Sequence, residues 1–402
     1  MATATTLPAA PSTLTGARRR LKNPTPTLFP SVPDHRDTGP DPLPPPGTAP
    51  ERVGIARLAA SSPRAAAKRG AEYFLLPVRS ILNHCDSDRV PFSWTVNPYR
   101  GCEFGCQYCY ARYTHEYMEL EATDFERKIF VKQNSGPIAG RDLAMEKVQG
   151  EHIAIGTATD PYQPAEREFG ATRAILEQMA ARRGLSVSIT TKSNQVLRDL
   201  DLLRRIAAHS SLHVNLSITT LRPRLARLLE PRAPRPDLRL QAVRELRQAG
   251  IAAGVFAMPV LPGLTDSEAD LDALARAACG AGAQWFAASV LFLMPASQKQ
   301  FLPFLEAKFP RLARRYREWF TRTGYAPESY RREISARVAA LRRKYGLGDR
   351  PIVEEQPKGG PQQLAFGANF SAHDGRSAGT SEACAAQAPL RVLPDPPASP
   401  II

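Results

Sequence analysis

The sequence predicts an α/β fold: a partial (β/α)6-type barrel, followed by a C-terminal helical extension and flanked by disordered termini. The first observation is a rhythm in which short β-rich runs, such as HIAIGT, LSVSITT and VNLSITT, alternate with longer helical stretches. This rhythm predicts a parallel sheet built from about five or six β/α units. A doubly wound sheet is the alternative, and either architecture places its chemistry on loops that follow the carboxyl ends of strands.

The second observation is a change of composition that divides the chain into four parts. Residues 1–65 are rich in Pro, Ala, Thr and Arg, and residues 351–402 return to a similar composition. Neither segment can assemble a core, so both are predicted to be disordered. Between them, the β/α pattern predicts the barrel over residues 70–298, and amphipathic helical patterns predict an extension over residues 299–348.

The chain is strongly basic, with a formal net charge of +14. Residues 299–350 carry 14 Lys or Arg against 5 Asp or Glu, so the excess is concentrated in the helical extension. A basic face favours a polyanionic partner such as nucleic acid, and a merely solvated surface is the alternative. No apolar run reaches the roughly 18 residues of a membrane span. We therefore predict a cytoplasmic protein with no membrane partner.

Three of the six cysteines lie in the stretch NPYRGCEFGCQYCYAR, as Cys102-x3-Cys106-x2-Cys109. Three thiolates on so short a loop can bind three corners of one 4Fe-4S cubane, which leaves one iron open to S-adenosylmethionine. Zinc, a disulfide and unrelated buried thiols are the alternatives. Zinc usually takes four ligands in paired spacing, and the nearest further cysteine, Cys85, lies 17 residues upstream.

With Tyr108 before its last cysteine, this motif resembles the signature of the radical S-adenosylmethionine (radical SAM) superfamily. Over residues 90–300, the ordered motifs GTATDPYQPAE, TTKSNQ, LEPRAP and PVLPGLTD resemble the photolyase-type family that includes spore photoproduct lyase. The resemblance implies an enzyme that cleaves SAM reductively to a 5'-deoxyadenosyl radical, which then abstracts hydrogen. It also implies a reductase, flavodoxin or ferredoxin as electron donor.

The resemblance also implies site residues near the ends of the predicted strands. We expect Tyr108 to pack near the adenine, and both Tyr108 and Tyr110 to act in radical relay as catalytic residues. The other predicted cofactor-binding residues are Thr159, Asp160, Lys192, Ser193, Ser217 and Glu230. Turn formation, strand-end solvation and buried hydroxyls bonded to the backbone are the alternatives for these positions.

The substrate is predicted with less detail. Repair or modification of a nucleic acid is the first hypothesis; modification of a protein or small metabolite, and a non-catalytic cluster-bearing sensor, are the alternatives. Spore photoproduct lyase uses a cysteine in the segment that corresponds to residues 156–160, where this chain has none. Aromatic residues among the arginines of the extension could stack on bases or simply form core: Tyr316, Trp319, Tyr325, Tyr330 and Tyr345. Residues 362–366, QQLAF, resemble peptides that dock on the DNA sliding clamp.

Overall fold

The computed structural model describes residues 52–68, 70–87 and 90–349. The predicted disordered tail, the clamp-like residues 362–366 and most of the predicted lead-in lie outside these residues. The strands are β1 (Arg64–Lys68), β2 (Ala71–Leu76), β3 (Leu82–His84), β4 (Trp94–Val96), β5 (Tyr99–Arg100), β6 (Lys128–Lys132), β7 (His152–Ile155), β8 (Ser186–Thr191), β9 (Ser211–Ser217), β10 (Ala252–Val260) and β11 (Phe286–Val290). The helices are α1 (Gly54–Ser61), α2 (Tyr113–Glu116), α3 (Ser135–Asp142), α4 (Glu166–Phe169), α5 (Ala171–Ala180), α6 (Leu200–Ala207), α7 (Pro223–Leu229), α8 (Pro236–Gln248), α9 (Glu268–Gly280), α10 (Pro295–Lys308), α11 (Pro310–Phe320) and α12 (Glu328–Tyr345).

The main sheet has seven strands in the order β11-β10-β9-β8-β7-β4-β3. Strands β4, β7, β8, β9, β10 and β11 are parallel, and β3 pairs with β4 in the antiparallel sense. The six parallel strands follow one another in space as they do along the chain. In a doubly wound sheet, the order of the strands would reverse at a switch point. The order observed here has no such reversal, so the partial barrel is confirmed and the doubly wound alternative is wrong.

The two faces of the sheet carry different side chains because strand residues alternate between them. One face is aliphatic and packs with the outer helices in the main core. The other carries a polar layer in which His152 stacks on His213 at 5.4 Å between ring centroids, and Trp285 Nε1 donates to Asn215 at 3.0 Å. A Cβ on Gly254 would lie 2.3 Å from the Trp285 ring, so only glycine fits beside this layer.

A second sheet, in the order β1-β2-β6-β5, flanks the barrel and was not predicted. Helix α1 packs on it through Ala59, in a small core with Leu76, Met118 and Phe130. The prediction of disorder over residues 1–65 is therefore wrong at its C-terminal end. Composition hid this helix because residues 54–61, although apolar enough to pack, continue the Ala- and Arg-rich character of the preceding segment.

The extension consists of α10, α11 and α12, and α12 packs against α9 and β11. Two of its tyrosines bond to the loop after β10. The Tyr316 hydroxyl donates to Pro262 O at 2.9 Å, and the Tyr330 hydroxyl donates to Asp266 at 2.7 Å. These contacts favour the core alternative over base stacking for both tyrosines. Within the described ranges, no helix is long and apolar enough to cross a membrane.

Candidate functional site

The cysteine loop begins directly after β5, at a glycine that no other residue could replace without strain. Gly101 has φ +86°, and a Cβ there would lie 2.8 Å from the carbonyl oxygens of both Lys128 and Phe125. This close approach lets Cys102 N donate to Phe125 O at 3.0 Å. The loop therefore starts from a fixed backbone position against the second sheet.

The loop after β7 holds the cysteine loop from the other side. Thr159 Oγ1 donates to Gly101 O at 2.7 Å, and Gln163 Nε2 donates to the same oxygen at 3.1 Å. Gln163 Oε1 accepts from Glu103 N at 2.9 Å. Thr159, predicted to bind the cofactor, thus fixes the cysteine loop through its hydroxyl, and its contact with a cofactor stays a prediction.

The three cysteines of the motif are free thiols; Cys102 and Cys106 are buried and Cys109 is partly buried. Burial raises the pKa of all three thiols, and Cys102 is raised further by Asp160 and by its two neighbouring cysteines. Thiols that burial keeps protonated become thiolates when a metal binds them, so this donor set fits an iron-sulfur cluster. Among the described residues, no group of three or more His, Cys, Asp or Glu side chains is arranged to hold a single metal ion. A cubane places each thiolate on a different iron and does not need that arrangement.

Two further residues fix the loop, and sequence reasoning missed both. Arg112 is fully buried and donates from Nη2 to Cys106 O at 3.2 Å, while its Nη1 pairs with Glu126 at 2.6 Å. Ser297, at the start of α10, donates to Cys109 O at 2.8 Å. The second and third cysteines are therefore positioned by a buried arginine and by the C-terminal extension.

Glu230 is the centre of a buried network that joins β9, α8 and the cysteine loop. The Tyr108 hydroxyl and Thr219 Oγ1 both donate to Glu230 Oε1, the second at 2.8 Å. Arg239 Nη2 pairs with Oε2 at 2.5 Å, and Lys192 Nζ lies 3.7 Å from Oε1. Burial alone would raise the Glu230 pKa, but Arg239 and Lys192 outweigh it and lower the pKa to about 2. Glu230 is thus ionised and holds Tyr108 and Lys192 in place.

Two more predicted residues, Lys192 and Ser193, follow the end of β8. Asp160, in the loop after β7, binds this strand end, because its carboxylate accepts from Thr191 Oγ1 at 2.6 Å and from Lys192 N at 2.7 Å. Burial raises the pKa of Asp160. The Ser193 hydroxyl accepts from Gln195 N at 3.2 Å and caps a short 3-10 helix. The Lys192 side chain is 15% exposed, and its Nζ lies over the Tyr108 ring at 5.8 Å from the ring centroid.

Tyr110 and Ser217 complete the predicted set. The Tyr110 hydroxyl donates to Thr157 O, and burial raises its pKa well above the ordinary value. Ser217 lies at the end of β9, and its carbonyl accepts from Arg239 Nη1 at 2.9 Å. The structure therefore brings Tyr108, Lys192 and Glu230 into one cluster beside the thiols. Asp160 and Ser193 lie next to them in positioning contacts, and the catalytic and cofactor-binding roles of the whole set stay predictions.

Comparison with known proteins places this site in a family. The sequence model of the radical SAM superfamily matches residues 96–275, which include the cysteine loop and the carboxyl ends of five parallel strands of the main sheet, β4, β7, β8, β9 and β10. An uncharacterized protein of Mycobacterium tuberculosis is 37% identical over 309 residues, which cover 76% of this chain and 89% of that protein. An uncharacterized protein of Methanocaldococcus jannaschii is 34% identical over 175 residues, covering 44% of this chain and 63% of that protein.

The fold is also similar to solved structures of spore photoproduct lyase. One, with a dinucleoside spore photoproduct, has a TM-score of 0.52 at 17% identity and covers 68% of this chain and 79% of that one. Another, with bound AdoMet and the dinucleoside spore photoproduct, has a TM-score of 0.52 at 16% identity, covering 74% and 84%. The fold, the superfamily match round the three cysteines and the extensive identity to the mycobacterial protein lead to one conclusion: this chain belongs to the radical SAM superfamily.

Proposed function

We propose that this protein cleaves S-adenosylmethionine at a 4Fe-4S cluster held by Cys102, Cys106 and Cys109, and abstracts hydrogen from a nucleic acid in order to repair or modify it. The observation that carries the first part is the set of three buried or partly buried free thiols on a loop fixed from both sides. Superfamily membership implies both the cluster and SAM. We also propose a cytoplasmic setting and a flavodoxin, ferredoxin or reductase as electron donor.

When bound, the cluster would supply an electron to the sulfonium of SAM and so generate a carbon-centred radical. The residues of this chain have three tasks around it. The three thiols would hold the cluster, and the Lys192 ammonium would offer donors to a carboxylate at the edge of the site. Glu230 orients both Lys192 and Tyr108. The Glu230 carboxylate already accepts hydrogen bonds from Tyr108, Thr219 and Arg239, so we assign it a positioning role and not direct contact with substrate.

Two observations support a nucleic acid as substrate. Spore photoproduct lyase, whose fold is similar, has been solved with a dinucleoside ligand. In the extension, several exposed arginines have no carboxylate partner among the described residues: Arg311, Arg315, Arg322 and Arg343. Unpaired cations of this kind can neutralise phosphates. The proposal does not extend to photoproduct reversal, because residues 156–160 contain no cysteine.

The first experiment tests SAM cleavage. The protein is reconstituted anaerobically with iron and sulfide, reduced with dithionite and given SAM, and 5'-deoxyadenosine is measured. We expect product from the wild type and from Cys85→Ala, which alters a free cysteine outside the motif, and none from Cys106→Ala. An intact cluster without product would favour a sensor, and failure to bind a cluster would refute the proposal.

The second experiment tests the substrate class. Affinity for labelled single-stranded DNA and RNA is measured at several salt concentrations, with and without SAM. We expect binding that weakens with salt, because phosphate contacts release counterions. Robust SAM cleavage without affinity for either nucleic acid would instead point to a protein or small metabolite as substrate.

A further inference from the structure

The cysteine loop packs directly against the end of α7 and the residues that follow it. Gln107 N donates to Leu229 O at 2.9 Å, and Arg232 N donates to Phe104 O at 3.2 Å. In the chain, Phe104 and Gln107 stand on either side of Cys106. This segment therefore covers the backbone that carries one of the three predicted cluster ligands.

The cover is thin, because a residue that bonds to the loop also reaches solvent. Arg232 is exposed, and besides its backbone bond its Nη1 donates to Glu103 O at 3.3 Å. Leu228, next to the buried Leu229, is 40% exposed. A partner that touched Leu228 or Arg232 would therefore be one residue away from the cysteine loop.

Three exposed arginines lie together at this place. Arg232 Nη1 also donates to Glu126 O at 3.3 Å, directly before Arg127 in the chain, and Arg227 Nη1 donates at 2.6 Å to the carbonyl oxygen that precedes Arg232. Among the residues that the structure describes, none of the three arginines has a carboxylate partner. We call Arg127, Arg227, Arg232 and Leu228 the Leu228 patch.

The carboxylates of the adjoining segments do not neutralise these arginines, because each is already paired with another cation. The pairs are Lys68–Glu103 at 2.6 Å, Arg64–Glu72 at 3.1 Å, Arg112–Glu126 at 2.6 Å, Arg239–Glu230 at 2.5 Å and Arg235–Asp237 at 2.7 Å. The patch therefore carries an excess of positive charge and attracts an acidic partner.

The composition of the patch favours a protein partner over a nucleic acid. Within the described ranges, four large apolar residues are exposed, and two of them, Leu228 and Leu238, lie close to one another in the chain on this side of the cysteine loop. An apolar side chain among arginines is typical of a protein interface, in which a polar rim encloses an apolar centre. A single-stranded nucleic acid would need aromatic rings on which to stack its bases, and the patch has none.

The reaction of the proposed function needs one electron for each SAM cleaved, and an external donor has to supply it. Electron transfer slows steeply with distance, so the donor has to dock close to the cysteine loop. We propose that the Leu228 patch is the docking surface for this donor, a small electron-carrier protein with an acidic face. This inference rests on the proposed function, since only reductive SAM cleavage calls for such a donor.

In the docked complex, the carrier is oxidised by one electron, which enters the cluster and passes to the sulfonium of SAM. The bond from sulfur to the 5' carbon breaks, and the products are methionine and the 5'-deoxyadenosyl radical. Charge complementarity speeds the encounter, and electron-transfer interfaces are small, below about 1,200 Å² in total. A compact patch of three cations round one apolar residue suits such a transient contact.

The first test measures binding of a flavodoxin and of a ferredoxin, both with net negative charge, to the anaerobically reconstituted protein at several salt concentrations. We expect wild-type binding to weaken with salt. Arg227→Glu and Leu228→Glu should each weaken binding about tenfold at low salt, because each places a carboxylate opposite the acidic face of the carrier. Arg227→Lys keeps the charge and should retain most of the affinity.

Arg343→Glu is the matched control, since it makes the same change in net charge as Arg227→Glu. Arg343 is an exposed residue of α12, which packs on β11, and β11 and β4 lie far apart in the order of the main sheet. This variant should bind both carriers like the wild type. Arg232 is left intact because it bonds to the cysteine loop. If circular dichroism shows that a patch variant is unfolded, Arg127→Glu takes its place.

The second test separates docking from chemistry. Formation of 5'-deoxyadenosine is measured with each carrier as reductant and, separately, with dithionite, a small reductant that needs no docking surface. The two patch variants should show a higher KM for the carrier. Their iron content and their dithionite-driven rates should equal those of the wild type.

The outcomes distinguish the docking surface from the proposed function. If both patch variants bind the carriers as tightly as the wild type, or if Arg343→Glu weakens binding as much as they do, the surface is refuted, while dithionite-driven product upholds the proposed function. Failure of the wild type to bind either carrier, with dithionite-driven product present, has the same meaning. Carrier binding that depends on the patch, without product from dithionite, would support the surface and refute SAM cleavage.

Discussion

Replacing Glu230 by glutamine should cost about 3 kcal/mol of folding free energy at neutral pH. The side chain is 2% exposed, and its pKa is lowered from the ordinary 4.5 to about 2 even though burial acts in the opposite direction. Because one unit of pKa corresponds to about 1.4 kcal/mol, this lowering corresponds to about 3 kcal/mol. Breaking a buried ion pair costs a similar amount, since Arg239 would be left as an unpaired buried cation.

The assay is urea unfolding of the full-length protein, followed by tryptophan fluorescence at pH 7, 6, 5 and 4. A carboxyl whose folded pKa is depressed stabilises the fold fully above its unfolded pKa and loses that effect as the pH falls toward the folded pKa. The difference between wild type and Glu230→Gln should therefore be constant at pH 7 and 6 and smaller at pH 4. Glu146→Gln, at an exposed site, is the control. A difference below about 1 kcal/mol at pH 7, or one that stays constant down to pH 4, would refute the reasoning.

Three other predictions concern the loops and the polar layer. Gly156→Ala should lower the Tm markedly, since Gly156 has φ +90° and a Cβ would lie 2.4 Å from a carbonyl of β8; an unchanged Tm would contradict this. Gln163→Leu should reduce the iron bound per chain after reconstitution while the circular dichroism spectrum stays the same, because it removes hydrogen bonds that fix the cysteine loop; full iron content would count against that role. Burial lowers the pKa of His152 to about 4, and burial together with repulsion from His152 lowers the pKa of His213 to about 3. Both histidines therefore take up protons more readily in the unfolded chain than in the folded one. Stability should fall as the pH drops from about 6.5 toward 4, and less steeply in His213→Gln, as measured by urea midpoints.

The barrel was predictable from sequence because β7, β8, β9 and β10 are largely buried runs, and each is followed by a helix. The second sheet was not, since β1 is a mostly exposed RAAAK segment and β5 contains only two residues. Neither strand has the alternation that marks a half-buried strand. Their pairing is decided by contacts with β2 and β6, which are distant in sequence from one another.

The site shows the same division between local and tertiary information. The cysteine spacing predicts three ligands because the loop alone determines their proximity. Arg239 escaped prediction because, within LRLQAVRELRQAG, nothing distinguishes it from Arg244 or Arg247; only the fold buries it against Glu230. Arg112 escaped for a similar reason. A buried arginine can be recognised only when the carboxylate or carbonyl oxygen that accepts its hydrogen bonds has been located in the fold.

Helix α10 connects the extension directly to the cysteine loop. Ser297 donates to the carbonyl of Cys109, and the Phe301 ring meets the Tyr108 ring edge-on at 6.4 Å. The same helix packs against α11, where the exposed Arg311 and Arg315 have no carboxylate partner among the residues that the structure describes. Coupling free energies are reciprocal. If a partner bound α11 and favoured the docked position of α10, it would strengthen cluster binding, and the cluster would strengthen binding of that partner by the same factor. A chain that lost its cluster would then also hold such a partner less tightly.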